Sequence, residues 1–110
     1  MEWLHFISWF FGGAFLANAV PHLVSGMMGR PFPSPFAKPP GRGLSSPPIN
    51  VLWGFFNLVV AYFLLCHVGA FDMRITADAA ALGLGALALG LLHGRQFGRL
   101  NGGAPPEPSL

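Results

Sequence analysis

Three polar side chains interrupt two apolar segments of the chain and could do chemistry there: Asn18, His22 and Asn57. Asn18 and His22 are four residues apart, so they share one face of a helix, and Pro21 between them removes a backbone hydrogen-bond donor. Counting the helical rise from the segment ends places Asn57 at a depth between the other two. Buried amides and imidazoles in lipid are costly unless they are partnered. The cluster therefore predicts a ligand-binding pocket or, as the alternative, helix-to-helix hydrogen bonds.

The chain has four histidines, which could also supply axial ligands to a haem iron. Spacing places His5 and His67 near one membrane face, and His22 and His93 near the other. The sequence contains no H-x-x-x-H, C-x-x-C or H-E-x-x-H pattern of a metal site. We therefore predict no metal site. The histidines are haem-ligand candidates on position alone, and the sequence identifies no cofactor.

Signatures of catalysis are missing from the sequence. It has no G-x-S-x-G motif, no phosphate-binding glycine loop, and no carboxylate inside an apolar segment apart from Asp78 at the start of the third. The single cysteine, Cys66, lies in an apolar run, and a lone cysteine excludes an intrachain disulfide. An enzymatic role is left open, and a non-enzymatic role is favoured.

The composition indicates that these residues lie in helices surrounded by lipid. Of the 110 residues, 53% are hydrophobic and only 9% are charged, whereas a soluble domain carries about 25% charged residues. We predict an all-α membrane protein with one domain over residues 1–99 and a disordered, Gly- and Pro-containing tail over residues 100–110. The three predicted transmembrane helices cover Trp3–Gly26, Pro48–Phe71 and Ala77–His93.

Local signals mark where two of these helices begin. Ser46 can cap the second helix, with Pro47 and Pro48 in early helical positions where no amide partner is lost. Thr76 is the expected N-cap of the third helix, and Asp78 follows in its first turn, where the helix dipole favours a carboxylate. Both starts are therefore predicted from local chemistry as well as from hydropathy.

Residues 26–50 join the first two predicted helices and contain seven of the eleven prolines, three basic residues and no acidic residue. Proline holds such a loop in extended or turn geometry. We expect Phe32 and Phe36 to dip toward the acyl chains while Arg30 and Lys38 reach lipid phosphates, so that the four form a rim. The loop could be a stiff connector, a lid or docking surface over a site between the helices, or a ligand of a PxxP-binding groove.

The basic residues predict the orientation of the chain. Five of the six Lys and Arg residues fall on one side of the three crossings, and only Arg74 falls on the other. The positive-inside rule makes the first side the cytoplasm. The N-terminus then faces outward, while the Pro-rich loop and the C-terminus are cytoplasmic. Because the basic residues are scattered singly around apolar segments, nucleic acid is not an expected partner.

Small residues form one face of the third predicted helix. Gly83, Ala86 and Gly90 recur at intervals of three and four residues, which admits close approach of another helix. A small three-helix chain often completes its packing through a second copy or a larger partner. We therefore expect membrane lipid around the helices, and a homo-oligomer or a larger membrane complex as the assembly.

The stretch GRPFPSPFAKPPGRGLSSPPINVLWG, about a quarter of the chain, resembles a group of small bacterial inner-membrane proteins without an assigned activity. The resemblance implies the bacterial inner membrane as the location and transfers no functional residue. Two functions follow from the residues themselves. One is a non-enzymatic subunit, or accessory or assembly factor, of a larger membrane complex. The other is a carrier or binding protein for a small apolar molecule, quinone or haem-like cofactor in an intramembrane pocket.

Overall fold

Three helices make up most of the molecule. The computed structural model describes residues 2–102, with α1 over Glu2–Met27, α2 over Pro47–Cys66 and α3 over Thr76–Gly102. Each helix is long and apolar enough to cross a membrane, since about 20 residues rising 1.5 Å each span a hydrocarbon core ~30 Å thick. The prediction of an all-α protein with three such helices is confirmed.

Helix α1 is the central element of the fold, because both α2 and α3 pack against it. Within residues 2–102, α2 and α3 do not pack against each other. Helix α1 is apolar over its length and continues through Pro21, so it can offer a packing surface to two neighbours. It therefore carries the residues that meet each of the other helices.

Glycines allow α1 and α2 to approach closely. A Cβ added to Gly12 of α1 would lie 2.7 Å from the Leu65 side chain of α2. A Cβ added to Gly54 of α2 would lie 2.6 Å from the Leu23 side chain of α1. Both distances are shorter than normal carbon contacts, which are about 3.5–4.0 Å. The two helices therefore fit together only because these positions lack a side chain.

The interface between α1 and α3 uses glycine in the same way but brings backbone against backbone. Gly13 of α1 contacts the backbone carbonyl of Leu82, and Gly85 of α3 contacts the backbone carbonyl of Phe10. Backbone atoms cannot turn aside as a flexible side chain can. A larger residue at Gly13 or Gly85 would therefore separate the two helices.

Helix α2 begins as predicted and ends earlier than predicted. Ser46 is its N-cap, with the hydroxyl accepting a hydrogen bond from a backbone amide of the first turn and two prolines at the first helical positions. The helix ends at Cys66, before the predicted end at Phe71. The apolar sequence continues, but Gly69 has a φ of 64°, which lies outside the right-handed helical region.

Helix α3 continues beyond the predicted end at His93, as far as Gly102. The span prediction counted only apolar residues, whereas the additional turns carry two arginines and a glutamine that are all compatible with a helix. The first residues of the predicted tail, 100–102, are therefore helical. Residues 103–110, which complete that tail, lie outside the described part of the chain.

The turn over residues 67–75 is hydrogen-bonded to α1 and to the first turn of α3. Trp9 Nε1 of α1 donates a hydrogen bond of 2.8 Å to the Val68 carbonyl. The Asp78 carboxylate, in the first turn of α3, accepts a hydrogen bond of 3.1 Å from the Asp72 amide. Helix α3 begins at the predicted N-cap residue. These contacts fix the end of the molecule opposite the Pro-rich loop.

Candidate functional site

His22 of α1 and Asn50 of α2 form a buried polar pair. His22 Nδ1 lies 2.7 Å from Asn50 Oδ1. Asn50 Nδ2 lies within hydrogen-bond distance of the carbonyls of Phe32, Ser45 and Ser46, at 3.0, 3.2 and 3.2 Å. Because an amide oxygen only accepts, His22 Nδ1 carries the proton in this arrangement. One amide group therefore joins α1, the Pro-rich loop and the first turn of α2.

Asn18 and Asn57 form a second polar pair between the same two helices. Asn18 Nδ2 donates to Asn57 Oδ1 at 2.7 Å, and Asn57 Nδ2 donates to the Trp53 carbonyl of its own helix at 2.7 Å. Asn57 is completely buried, and Asn18 is half-buried. The expected meeting of these two residues is therefore observed. Their role in binding a ligand stays a prediction.

Sequence reasoning missed Asn50, which is the partner of His22. Asn50 and Asn57 are seven residues apart, which is two helical turns, and both lie on the buried face of α2 with Gly54 and Ala61. This spacing could have placed Asn50 beside the predicted cluster. Its bonds to the loop carbonyls could not have been predicted, because they depend on how the loop folds back over α2.

The Pro-rich loop, residues 28–46, is folded into a cap over the adjoining ends of α1 and α2. Phe32 and Ser45 form an antiparallel bridge with backbone hydrogen bonds of 3.2 and 2.9 Å. The hydroxyl oxygens of Ser34 and Ser45 are 2.6 Å apart and both residues are buried. The Ser34 carbonyl accepts hydrogen bonds from the Ala37 and Gly41 amides at 3.1 and 2.8 Å. The loop is therefore more than an extended connector.

The four predicted rim residues face different surroundings. Three of them are exposed: Arg30, Phe36 and Lys38. Phe32 is half-buried, with its ring centroid 5.5 Å from that of His22 and 4.8 Å from that of Phe97 in α3. The Phe32 ring therefore contacts α1 and α3, rather than projecting freely from the loop toward the acyl chains as expected.

The two histidines at the end opposite the Pro-rich loop have separate partners. The His5 ring packs on Trp9 with centroids 5.8 Å apart. His67 Nε2 lies 3.2 Å from Tyr62 Oη. The structure therefore gives these two histidines different neighbours, and their pairing as haem ligands stays a prediction.

The two histidines nearest the Pro-rich loop are connected through aromatic rings. His22 packs on Phe32, Phe32 on Phe97, and Phe97 on His93, with centroid distances of 5.5, 4.8 and 4.9 Å. Across the described residues, no group of three or more His, Cys, Asp or Glu side chains could hold a metal ion. The arrangement supports packing between α1, the loop and α3, and the haem-ligand role of this pair also stays a prediction.

Trp53 borders the polar pairs and packs under the loop. Its ring lies 5.3 Å from that of Phe36 and stacks on Phe56 at 5.6 Å. Among the described side chains of residues 2–100, Trp53 Nε1 is the one buried polar atom without a hydrogen-bond partner. The other buried polar side chains bond to one another or to the backbone. These hydrogen bonds and ring contacts therefore hold α1, α2 and the Pro-rich loop in one arrangement.

No family model, curated protein or solved structure matches the chain. The function must therefore be argued from the residues and their geometry. The resemblance of the loop sequence to small bacterial inner-membrane proteins stays a prediction.

Four glycines along one side of α3 have open space around them. For a Cβ added at any of them, no described atom other than the backbone of α3 lies within 4 Å. They are Gly83, Gly90, Gly94 and Gly98, and we call them the glycine face. The first two belong to the predicted packing face, whose third member, Ala86, is half-buried. The contact with α1 instead uses Gly85, on another side of α3.

Proposed function

We propose that this chain is an integral membrane protein that serves as a non-enzymatic subunit or accessory factor of a larger membrane complex. The observation that carries the proposal is the glycine face of α3, which no described part of the chain covers. Only 11% of the most apolar stretch of α3 is buried within the chain, against 28% for α1. Helix α3 therefore offers most of its surface to lipid or to another helix.

Glycine is unfavourable in a helix unless close packing compensates for it. Each glycine costs about 0.8–1.0 kcal/mol relative to alanine in a helix interior. Gly85 is compensated, because the backbone of α1 at Phe10 occupies the space of a side chain. The glycine face has no such neighbour among the described residues. A partner helix would supply one, because small residues let helix backbones approach and gain van der Waals contacts in lipid.

The polar residues support a packing role more strongly than a ligand pocket. Asn18 and Asn57 bond to each other, and His22 bonds to Asn50. Such hydrogen bonds between helices satisfy polar groups that would otherwise be available to a ligand. The alternative function, binding of a small apolar molecule, quinone or haem-like cofactor at these residues, therefore has less support from the geometry.

Exposed hydrophobic side chains support insertion in a membrane. The outer sides of α2 and α3 carry large apolar residues that would be unfavourable in water. These exposed residues include Leu52, Phe55, Phe63, Leu84, Leu91 and Leu92. A lipid bilayer would cover these side chains without any specific partner. Lipid does not account for the glycine face, which is explained by a partner helix instead.

The distribution of basic residues supports the proposed orientation. The Pro-rich loop and the last turns of α3 lie together, joined by a hydrogen bond of 3.3 Å from Gln96 Nε2 to the Gly41 carbonyl. This end carries five of the six Lys and Arg residues, and Arg74 belongs to the opposite end. The positive-inside rule then makes this end cytoplasmic and the N-terminus external. The loop resemblance favours the bacterial inner membrane as the location.

The proposal is tested by adding bulk to the glycine face and measuring assembly. Gly83→Leu and Gly90→Leu place a side chain where a partner helix would pack. Ala88→Leu is the matched control, because it adds bulk at an exposed position on another side of α3. Complexes are extracted from native membranes in mild detergent and identified by native mass spectrometry. We expect wild-type and Ala88→Leu chains to be bound to at least one other kind of chain, and both glycine variants to be dissociated.

Membrane abundance is measured for each variant, so that loss of the complex is not confused with loss of the protein. Retention of the complex by both glycine variants would show that the face contacts lipid, and would contradict the proposal. A complex made only of copies of this chain would contradict the subunit function while leaving the packing face correct. A wild-type monomer would contradict both.

A further inference from the structure

A cavity of about 730 Å³ lies between the Pro-rich loop and the last turns of α3. Its walls include Arg42 from the loop, and Arg95 and Arg99 from α3. The loop is held beside α3 by the hydrogen bond from Gln96 to Gly41. Two segments that are distant in sequence therefore contribute arginines to one cavity.

The positive charge of this cavity is not balanced within it. No carboxylate is among its lining residues. The acidic residues of the described chain lie elsewhere. Glu2 is at the start of α1, Asp72 is in the turn before α3, and Asp78 is in the first turn of α3. Arg95 and Arg99 are four residues apart on one helix face, a spacing at which like charges repel. A bound anion would relieve this repulsion.

The lining also indicates what kind of anion would fit. The planar guanidinium group donates paired hydrogen bonds to phosphate oxygens and keeps its charge at all physiological pH values. Leu89 and Leu92 line the cavity toward the middle of α3, whereas Arg95 and Arg99 line it toward the C-terminal end, where Leu100 is the one apolar lining residue from α3. This polarity matches a phospholipid, whose phosphate lies at the membrane surface while its glycerol and acyl chains lie deeper. A soluble phosphate would use the arginines but not the leucines.

We infer that Arg42, Arg95 and Arg99 form a binding site for the phosphate of an anionic phospholipid at the cytoplasmic end of the molecule. The inference rests on the membrane insertion and orientation in the proposed function, but not on the glycine face. The site differs from the expected rim, because neither Arg30 nor Lys38 lines the cavity. Those two residues therefore provide a matched control for the loss of positive charge.

The test reconstitutes the full chain in lipid nanodiscs with equal amounts of phosphatidylglycerol and phosphatidylcholine, and counts the retained lipids by native mass spectrometry. The wild-type protein retains phosphatidylglycerol in preference to phosphatidylcholine. Arg42→Gln and the double variant Arg95→Gln/Arg99→Gln lower this preference by about fivefold for each arginine removed. The double variant Arg30→Gln/Lys38→Gln removes the same charge elsewhere on this end and should lose less of the preference, because these exposed side chains lie outside the cavity and act only as general surface charge.

Equal retention of the two lipids by the wild-type protein would overturn the inference. An equal loss of preference in the Arg30→Gln/Lys38→Gln variant would also overturn it, because general surface charge would then be the cause. Glycerol phosphate added to the detergent-solubilised protein tests the soluble source, and tight binding of this ester would overturn the lipid assignment. Alkaline carbonate extraction of native membranes checks insertion separately, so a wrong membrane location is distinguishable from a wrong lipid site.

Discussion

The two completely buried asparagines of α2 hold different parts of the molecule together. Asn57 links α2 to Asn18, and its second hydrogen bond stays within its own helix. Asn50 links α2 to His22 and to the Pro-rich loop. A hydrogen bond between helices in lipid contributes about 0.6 kcal/mol, whereas leaving buried polar groups without partners costs about 1–3 kcal/mol. Substitution of the two asparagines should therefore have unequal consequences.

We expect Asn50→Ala to release the loop from α2 and to destabilise the protein by about 1–3 kcal/mol, because loop carbonyls and His22 lose their shared partner. The measurement is the rate of trypsin cleavage in detergent after Arg42, the one basic loop residue that is not followed by proline. Cleavage should be faster in Asn50→Ala and unchanged in Asn57→Leu. Identical rates in the wild type and both variants would show that Asn50 does not hold the loop.

We expect Asn57→Leu to keep near-normal membrane abundance and near-normal function in the native host. Leucine has the same branching as asparagine and is apolar, and the lost interhelical hydrogen bond is weak in lipid. Phenotype rescue is compared with membrane abundance of the same variant. Normal abundance with abolished function would instead show that the Asn57 amide serves a ligand, and would favour the binding-protein function.

Apolar length and local capping residues predict the three helices but not where two of them end. Helix α2 ends at Cys66 although apolar residues follow in the sequence, because the backbone leaves the helical conformation at the C-cap residue His67, which has a φ of −117° and a ψ of 12°. Helix α3 extends past His93 because helical geometry tolerates charged residues that a hydropathy criterion excludes. Hydropathy therefore predicts the apolar part of a helix rather than the whole helix.

The packing faces of α3 were only partly predictable. Ala, Gly and Leu alternate along this helix, so small residues occur on several of its sides. Spacing identified Gly83 and Gly90 as a face for another helix, but it could not show that α1 packs on Gly85 instead. The choice depends on which side of α3 meets Phe10 when the helices cross. That relation belongs to the tertiary structure and leaves no local signal.

The two kinds of glycine in α3 should respond differently to the same substitution. Gly85→Leu should lower the free energy of unfolding by at least about 1–3 kcal/mol, because its side chain would meet the backbone of α1 at Phe10. Gly83→Leu should leave the stability of the monomer unchanged or slightly higher, because the position is open. Thermal unfolding of detergent-solubilised monomers, followed by tryptophan fluorescence, measures both. Equal midpoints for the two variants would contradict the assigned α1–α3 interface.

The fold of the molecule brings together residues that lie far apart in the sequence. The ring contacts from His22 through Phe32 to Phe97 connect α1, the Pro-rich loop and α3. Within residues 2–102, α2 and α3 each pack against α1 and not against each other. Their outer sides therefore need another solvent or partner. Periodicity could place Asn18, His22 and Asn57 on helix faces, but it could not show that Asn50 bonds to both α1 and the Pro-rich loop.

The orientation of the whole chain is tested with single cysteines at its two ends. In a Cys66→Ser background, Leu44→Cys and Met73→Cys place a thiol at side chains that are 67% and 60% exposed. Ser34 would be unsuitable, because it is buried within the loop. If the basic end is cytoplasmic, Met73→Cys should react with a membrane-impermeant maleimide on intact spheroplasts, and Leu44→Cys only after the membrane is opened. Reversed labelling would invert the orientation and place the arginine cavity in the outer leaflet. Labelling of both thiols from outside would contradict three crossings, because an odd number of spans must separate the Pro-rich loop from the turn between α2 and α3.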